Sequence, residues 1–247
     1  MMKTLKLPPD VPIENGMISK SLESAQKKVE GNNFDIRKHL VEYDDVINKH
    51  REAIYRRRRE ILEAAEIEAE NNSVAPLEKF SAMVKVQVDE EIAKIVSFHT
   101  AGDKAEEWNL AEIAETMRAM FSAGPELIEK LKTIAGAGNE EGRQAVLDYL
   151  KQSAAEAYSA LVEKFAQANI DFADVAKGML LRSIDQMWVE HLETMDYMRR
   201  GIGLRGYGQR DPLVEYKREA FRMYHELLDL IRQQLVYSVY RTADALQ

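Results

Sequence analysis

The chain has 247 residues, 45% of them hydrophobic, enough to bury a sizeable core in one large or two ordinary domains. Its formal net charge is −8 and it has no cysteine, so disulfides and thiolate metal sites are excluded and nucleic acid is not an expected partner. No apolar run is long enough for a membrane-spanning helix, and the opening MMKTLKLPPDVP lacks the apolar stretch of a secretory signal.

Sparse Pro and Gly, with abundant Ala, Glu, Lys, Leu and Arg, point to an all-α protein. An irregular lead-in covers 1–16, with prolines at 8, 9 and 12. From there Ile18, Leu22, Ala25, Val29, Ile36, Leu40, Tyr43, Ile47, Ile54 and Ile61 recur in steps of three, four or seven, which predicts one long helix over 17–70. Such a helix is roughly 80 Å long and cannot bury itself. It is expected to be a spine for other bodies, with Gly31-Asn32-Asn33 as the point where it kinks or breaks.

Asn71-Asn72-Ser73 and Pro76 end the spine. Residues 71–172 read as an inserted helical subdomain with helices near 77–98, 109–121, 125–134 and 140–168, separated by Gly102, Gly124-Pro125 and the AGAG at 135–138. Residues 173–247 read as an antiparallel two-helix hairpin. Leu180, Ile184, Met187, Trp188, Leu192, Met195, Met198 and Ile202 form one apolar face, and Leu213, Tyr216, Ala220, Tyr224, Leu227, Ile231 and Leu235 the other. Asp211-Pro212 suits the start of the second helix, with aspartate as N-cap and proline in the first turn.

The hairpin tip holds four of the twelve glycines, at 201, 203, 206 and 208. Residues 201–206 match G-x-G-x-x-G, but a helix precedes them instead of the strand that a dinucleotide site requires, so the glycines are read as turn formers. There is no Walker A pattern, and the five histidines lack zinc spacing. No cofactor, catalytic or metal site is expected in this chain. Trp108 and Trp188 read as core anchors and His191 as a packed histidine. Tyr207, among glycines with little local core to fill and flanked by Arg205 and Arg210, suits contact with another chain.

The spine carries two charge clusters. Glu42, Asp44 and Asp45 cannot all converge on one face, so salt bridges to a packed partner fit better than a metal site. Arg51 and Arg56-Arg57-Arg58-Arg59 wrap around the helix; they read as a solvated face or as a docking site for an acidic partner or anionic lipid.

Two blocks carry a family resemblance: AQKKVEGNNFDIRKHLVEYDDVINKHREAIYRRR from Ala25 to Arg58, and LLRSIDQMWVEHLETMDYMRRGIGLRGYGQRDPLVEYKREAF from Leu180 to Phe221. With LPPDVPIENGMISKSLE before them, they resemble the C-terminal region of the SecA family, the motors of bacterial preprotein translocases. Residues 71–172 match weakly, chiefly in position and at Trp108-Asn109-Leu110. The resemblance implies that the long helix is the helical scaffold, the inserted helices the helical wing, and the hairpin the two-helix finger. It implies that Leu204, Arg205, Tyr207, Gln209 and Arg210 contact a translocating polypeptide at the SecYEG channel. It also implies that Asp44, Asp45, Arg51, Arg56 and Arg57 dock to motor domains.

The family further implies partners in SecA motor domains, unfolded preprotein and anionic lipid. It implies a cytoplasmic location, peripheral at the inner face of the plasma membrane, and a role in restraining ATP hydrolysis. ATP and magnesium would sit on motor domains before residue 1, and zinc on a tail after residue 247, so the chain is expected to be a fragment or a truncated product. The residues alone also fit a standalone helical adaptor or coiled-coil scaffold with no catalytic role.

Overall fold

The computed structural model describes residues 16–66, 75–102, 104–136, 139–202 and 211–242. They form seven α-helices: α1 (Gly16–Glu66), α2 (Ala75–His99), α3 (Leu110–Phe121), α4 (Leu127–Ala135), α5 (Glu140–Gln167), α6 (Phe172–Ile202) and α7 (Pro212–Arg241). No strand occurs among the described residues, in keeping with the all-α expectation.

α1 has 51 residues and is about 76 Å long at 1.5 Å per residue. It runs unbroken through Gly31-Asn32-Asn33, where a kink was expected. A glycine inside a helix costs only about 1 kcal/mol relative to alanine. Breaking the helix would require a second costly nucleation, and among the described residues no other helix covers this stretch. Beyond Glu66 the expected end of this helix, at 70, lies outside the described residues.

Local chemistry sets the other boundaries. Asn109 caps α3, its side chain accepting from the Glu112 N–H at 3.1 Å, and Asn139 caps α5 in the same way from Gly142 at 2.9 Å. Ser122, in the left-handed region at φ 58°, ends α3 and donates its backbone N–H to the Arg118 carbonyl. Gly142 lies so close to the end of α4 that a Cβ there would fall 2.2 Å from the Ala135 carbonyl oxygen.

One continuous apolar core joins these helices. It contains Ile54 and Ile61 of α1, Phe80, Val84 and Ile92 of α2, and Met117 and Met120 of α3. Leu131 of α4, Val146 and Leu150 of α5, Ile184 of α6, and Leu235 and Val239 of α7 complete it. α2 lies at the centre, packing on α5, α6 and α7. Trp108 is buried, and its indole N–H donates to the Gly102 carbonyl at 2.8 Å. Tyr240 is buried between α7 and α5, its hydroxyl donating to the Ala154 carbonyl at 3.0 Å.

The first half of α1 stands outside this core. Leu22, Val29, Phe34, Ile36 and Leu40 are all exposed. Further down the same helix the apolar stripe is covered by α6 and α7, and Val46, His50, Ile54 and Ile61 are buried. One stripe therefore has a covered half and an uncovered half.

Candidate functional site

The site that can be described is the seam where the α6–α7 hairpin lies on α1. α6 and α7 pack along each other over most of their length, and both touch α1. Asp211 caps α7 with Oδ1 accepting from the Leu213 N–H at 2.8 Å, and Pro212 opens the first turn. Where α6 ends and α7 begins, a second small core forms from Val46, Met195, Ile202, Tyr216, Ala220 and Met223. Tyr43 of α1 meets Tyr216 of α7 edge-to-face, with ring centroids 4.7 Å apart at 78°.

Charge pairs border this small core. Asp44 of α1 lies 3.5 Å from Arg199 of α6, which also binds Asp196 at 2.9 Å. Asp45 pairs within its own helix, with Lys49 at 2.8 Å. Farther down, Arg58 crosses to Asp185 of α6 in a two-pronged contact at 2.9 and 3.3 Å. Arg51 donates to the Asn48 side chain at 2.6 Å. Arg56 and Arg57 are exposed and make no ion pair among the described residues. Leu204, Arg205, Tyr207, Gln209 and Arg210 lie outside the described residues.

The centre of the seam holds two histidines. His50 of α1 and His191 of α6 are 8% and 6% exposed, and Nδ1 of the first lies 3.1 Å from Nε2 of the second. One ring must donate and the other accept. Tyr224 of α7 stacks on His50 at 4.7 Å, and Trp188 of α6 stacks on His191 at 5.6 Å. Burial holds His191 down at about 4, with His50 beside it adding to the shift, and burial also lowers His50. His191 is thus packed, as expected, but its partner His50 was not foreseen. The two are 141 residues apart, and each by itself looks like a lone core histidine.

On its far side His191 borders a groove of about 510 Å3 between α6 and α7. Met187, Met198, Met223 and Leu227 line it, with Glu190, Glu219, Arg222 and Glu226 among the polar lining residues. Among the described residues no group of three or more His, Cys, Asp or Glu side chains converges as a metal site would need. None of the described helices is long and apolar enough to cross a membrane.

α6 and α7 thus lie fastened side by side along the lower half of α1. Residues 12–243 match the model of the SecA wing and scaffold domain. The chain is 37% identical over 238 residues to the protein translocase subunit SecA of Dehalococcoides mccartyi strain CBDB1, covering 96% of this chain and 23% of that protein. It is 38% identical over 246 residues to the subunit of the same name from Desulfotalea psychrophila, covering 98% and 26% respectively. With the counterpart from Cupriavidus pinatubonensis it shares 40% identity over 236 residues, covering 95% and 24%. The chain thus spans about a quarter of the length of the curated relatives it matches. Matching almost end to end the part of those translocase subunits that carries the wing and scaffold, the chain belongs to the SecA family.

Proposed function

We propose that this chain is the scaffold, wing and finger part of an ATP-driven preprotein translocase. It would carry movement from motor domains to an unfolded polypeptide at the SecYEG channel, and regulate ATP hydrolysis by those domains. The observation that supports this most directly is the seam: α6 and α7 are fastened along α1 by the Tyr43–Tyr216 contact, the His50–His191 bond and the Arg199–Asp44 and Arg58–Asp185 pairs. A shift of α1 would therefore move α6 and α7 as a unit. The exposed stripe from Leu22 to Leu40 supports a larger body covering the rest of the rod.

In this reading Leu204, Arg205, Tyr207, Gln209 and Arg210 touch the polypeptide or the channel mouth. Tyr207 supplies amphipathic contact that tolerates many sequences. Asp44, Asp45, Arg51, Arg56 and Arg57 face the motor domains, and exposed arginines also suit anionic lipid at the inner face of the plasma membrane. ATP, magnesium and zinc belong to other parts of a longer parent.

The test adds the chain in trans to a SecA motor fragment that lacks this region. Binding with a changed ATPase rate is the expected result, and absence of binding overturns the reading. In a parent protein rebuilt with this chain, Tyr207→Asp should slow translocation. Undiminished translocation would remove the tip's role. The exposed α1 stripe also suits a second reading, a standalone coiled-coil adaptor. That reading requires concentration-dependent self-association in sedimentation and indifference to the motor fragment.

A further inference from the structure

The contact at the centre of the seam joins two titratable rings, and among the described residues neither ring has a carboxylate partner. The 3.1 Å contact between His50 and His191 needs one donor and one acceptor. A first added proton would leave one cation shared between two rings, both more than nine-tenths buried. A second would set N–H against N–H and abolish the bond.

The charged groups around the pair are engaged elsewhere. On α1, Lys49 is exposed and held by Asp45, while Arg51 is exposed and donates to Asn48. On α6, Glu190 lines the neighbouring groove and accepts from Gln186 at 3.5 Å. On α7, Glu226 lines the same groove and is paired with Arg222 at 2.5 Å, and His225 packs on Phe221. Among the described residues no hydrogen bond or ion pair joins a carboxylate to either ring of the pair. The stacked faces of Tyr224 and Trp188 soften the cost of a buried cation but supply no full opposite charge. The groove beside His191 gives water and protons a route to the ring.

We propose that the His50–His191 pair is an acid-opened latch, which holds the hairpin on the long helix while both rings are neutral and releases the seam on taking up a proton. This concerns the chain's own seam and holds whether or not the chain serves a translocase.

The sign follows from linkage. A ring that is neutral when packed and protonated when released takes up a proton on opening, so acid favours the open form. Starting near the ordinary value of 6.5, the open population grows up to tenfold for each pH unit lost, and levels off near the packed value of about 4 for His191. That window allows roughly a 300-fold increase from this one ring.

Hydrogen exchange on the full chain tests the latch, with rates corrected for the intrinsic pH dependence of exchange. The readouts are amides 46–54 of α1 and 187–195 of α6, with amides 146–154 of α5 as an internal reference. Between pH 6 and pH 5 the seam amides of the wild type should lose roughly tenfold in protection while α5 keeps its own. The double variant His50→Gln/His191→Gln keeps polar side chains that cannot titrate, and its seam protection should no longer change with pH. Equal pH dependence in both proteins overturns the latch, as does simultaneous loss of protection in α5. If the double variant does not fold, imidazole nitrogen NMR on the wild type decides. Rings that stay neutral until the seam opens support the latch, and rings protonated in a closed seam refute it.

Discussion

Truncating Tyr216 tests whether the hairpin is seated on the long helix as the geometry requires. Tyr216 is 2% exposed on α7 and meets Tyr43 of α1 edge-to-face at 4.7 Å, inside the small core of Val46, Met195, Ile202, Ala220 and Met223. Removing a large buried aromatic costs about 3–5 kcal/mol from lost transfer energy and the cavity left behind. Tyr43 is only partly buried, so Tyr43→Ala should cost less, about 1–2 kcal/mol. The ring-to-ring term is isolated by a double-mutant cycle. Urea denaturation of Tyr43→Ala, Tyr216→Ala and the double variant should give a coupling of about 0.5–1.5 kcal/mol. In hydrogen exchange, the two single variants should raise rates at amides 43–50 more than in α5. A coupling within about 0.3 kcal/mol of zero would mean that the rings do not touch in solution, and the seated hairpin would be refuted.

Three further perturbations separate other parts of the fold. Gly142→Ala puts a methyl 2.2 Å from the Ala135 carbonyl oxygen, and backbone cannot yield as a flexible side chain does. It should cost about 1–3 kcal/mol in thermal unfolding, and no loss would mean that α4 and α5 do not meet there. Asn139→Ala should cost about 1 kcal/mol by removing the α5 cap, with Asn139→Asp close to wild type in the same assay. Glu91 is 2% exposed on α2, and its Oε2 has no hydrogen-bond partner among the described residues. Burial raises its carboxyl above the ordinary 4.5, so the folded state holds the proton more tightly than the unfolded one. That stability is fully present below 4.5 and is lost as pH rises through the raised value. Glu91→Gln should therefore raise the urea midpoint at pH 8 and match wild type near pH 4. A lower midpoint at pH 8 would show that the carboxylate is solvated or paired.

Helix identity was legible because periodicity and caps are local properties. Asn109, Asn139 and Asp211 stand where α3, α5 and α7 begin, and each accepts a hydrogen bond from an N–H that the helix cannot satisfy itself. The expected break at Gly31-Asn32-Asn33 failed for the opposite reason. Propensity is a weak bias, and a single cooperative helix of 51 residues absorbs one glycine without a second nucleation. The charge clusters were half legible. Their exposure could be read from the repeat, but the crossing of Asp44 to Arg199 and of Arg58 to Asp185 could not. Tyr207, beside Arg205 and Arg210, was read as a contact residue from its place among glycines, and Leu204 and Gln209 from the family resemblance; all five lie outside the described residues.

The order of residues by itself determined that this chain is helical, where most helices start and stop, and which stripe of each is apolar. Those outcomes depend on neighbours within about four positions along the chain. The family was also legible there, in two long blocks of unusual composition. Tertiary structure decided which stripes meet. It covered the lower half of α1 and left Leu22 to Leu40 exposed, although both halves carry the same repeat. It also brought His50 to His191 across 141 residues and buried both rings against each other. Distances of that kind are set by how three helices pack together, and no window of local sequence contains them.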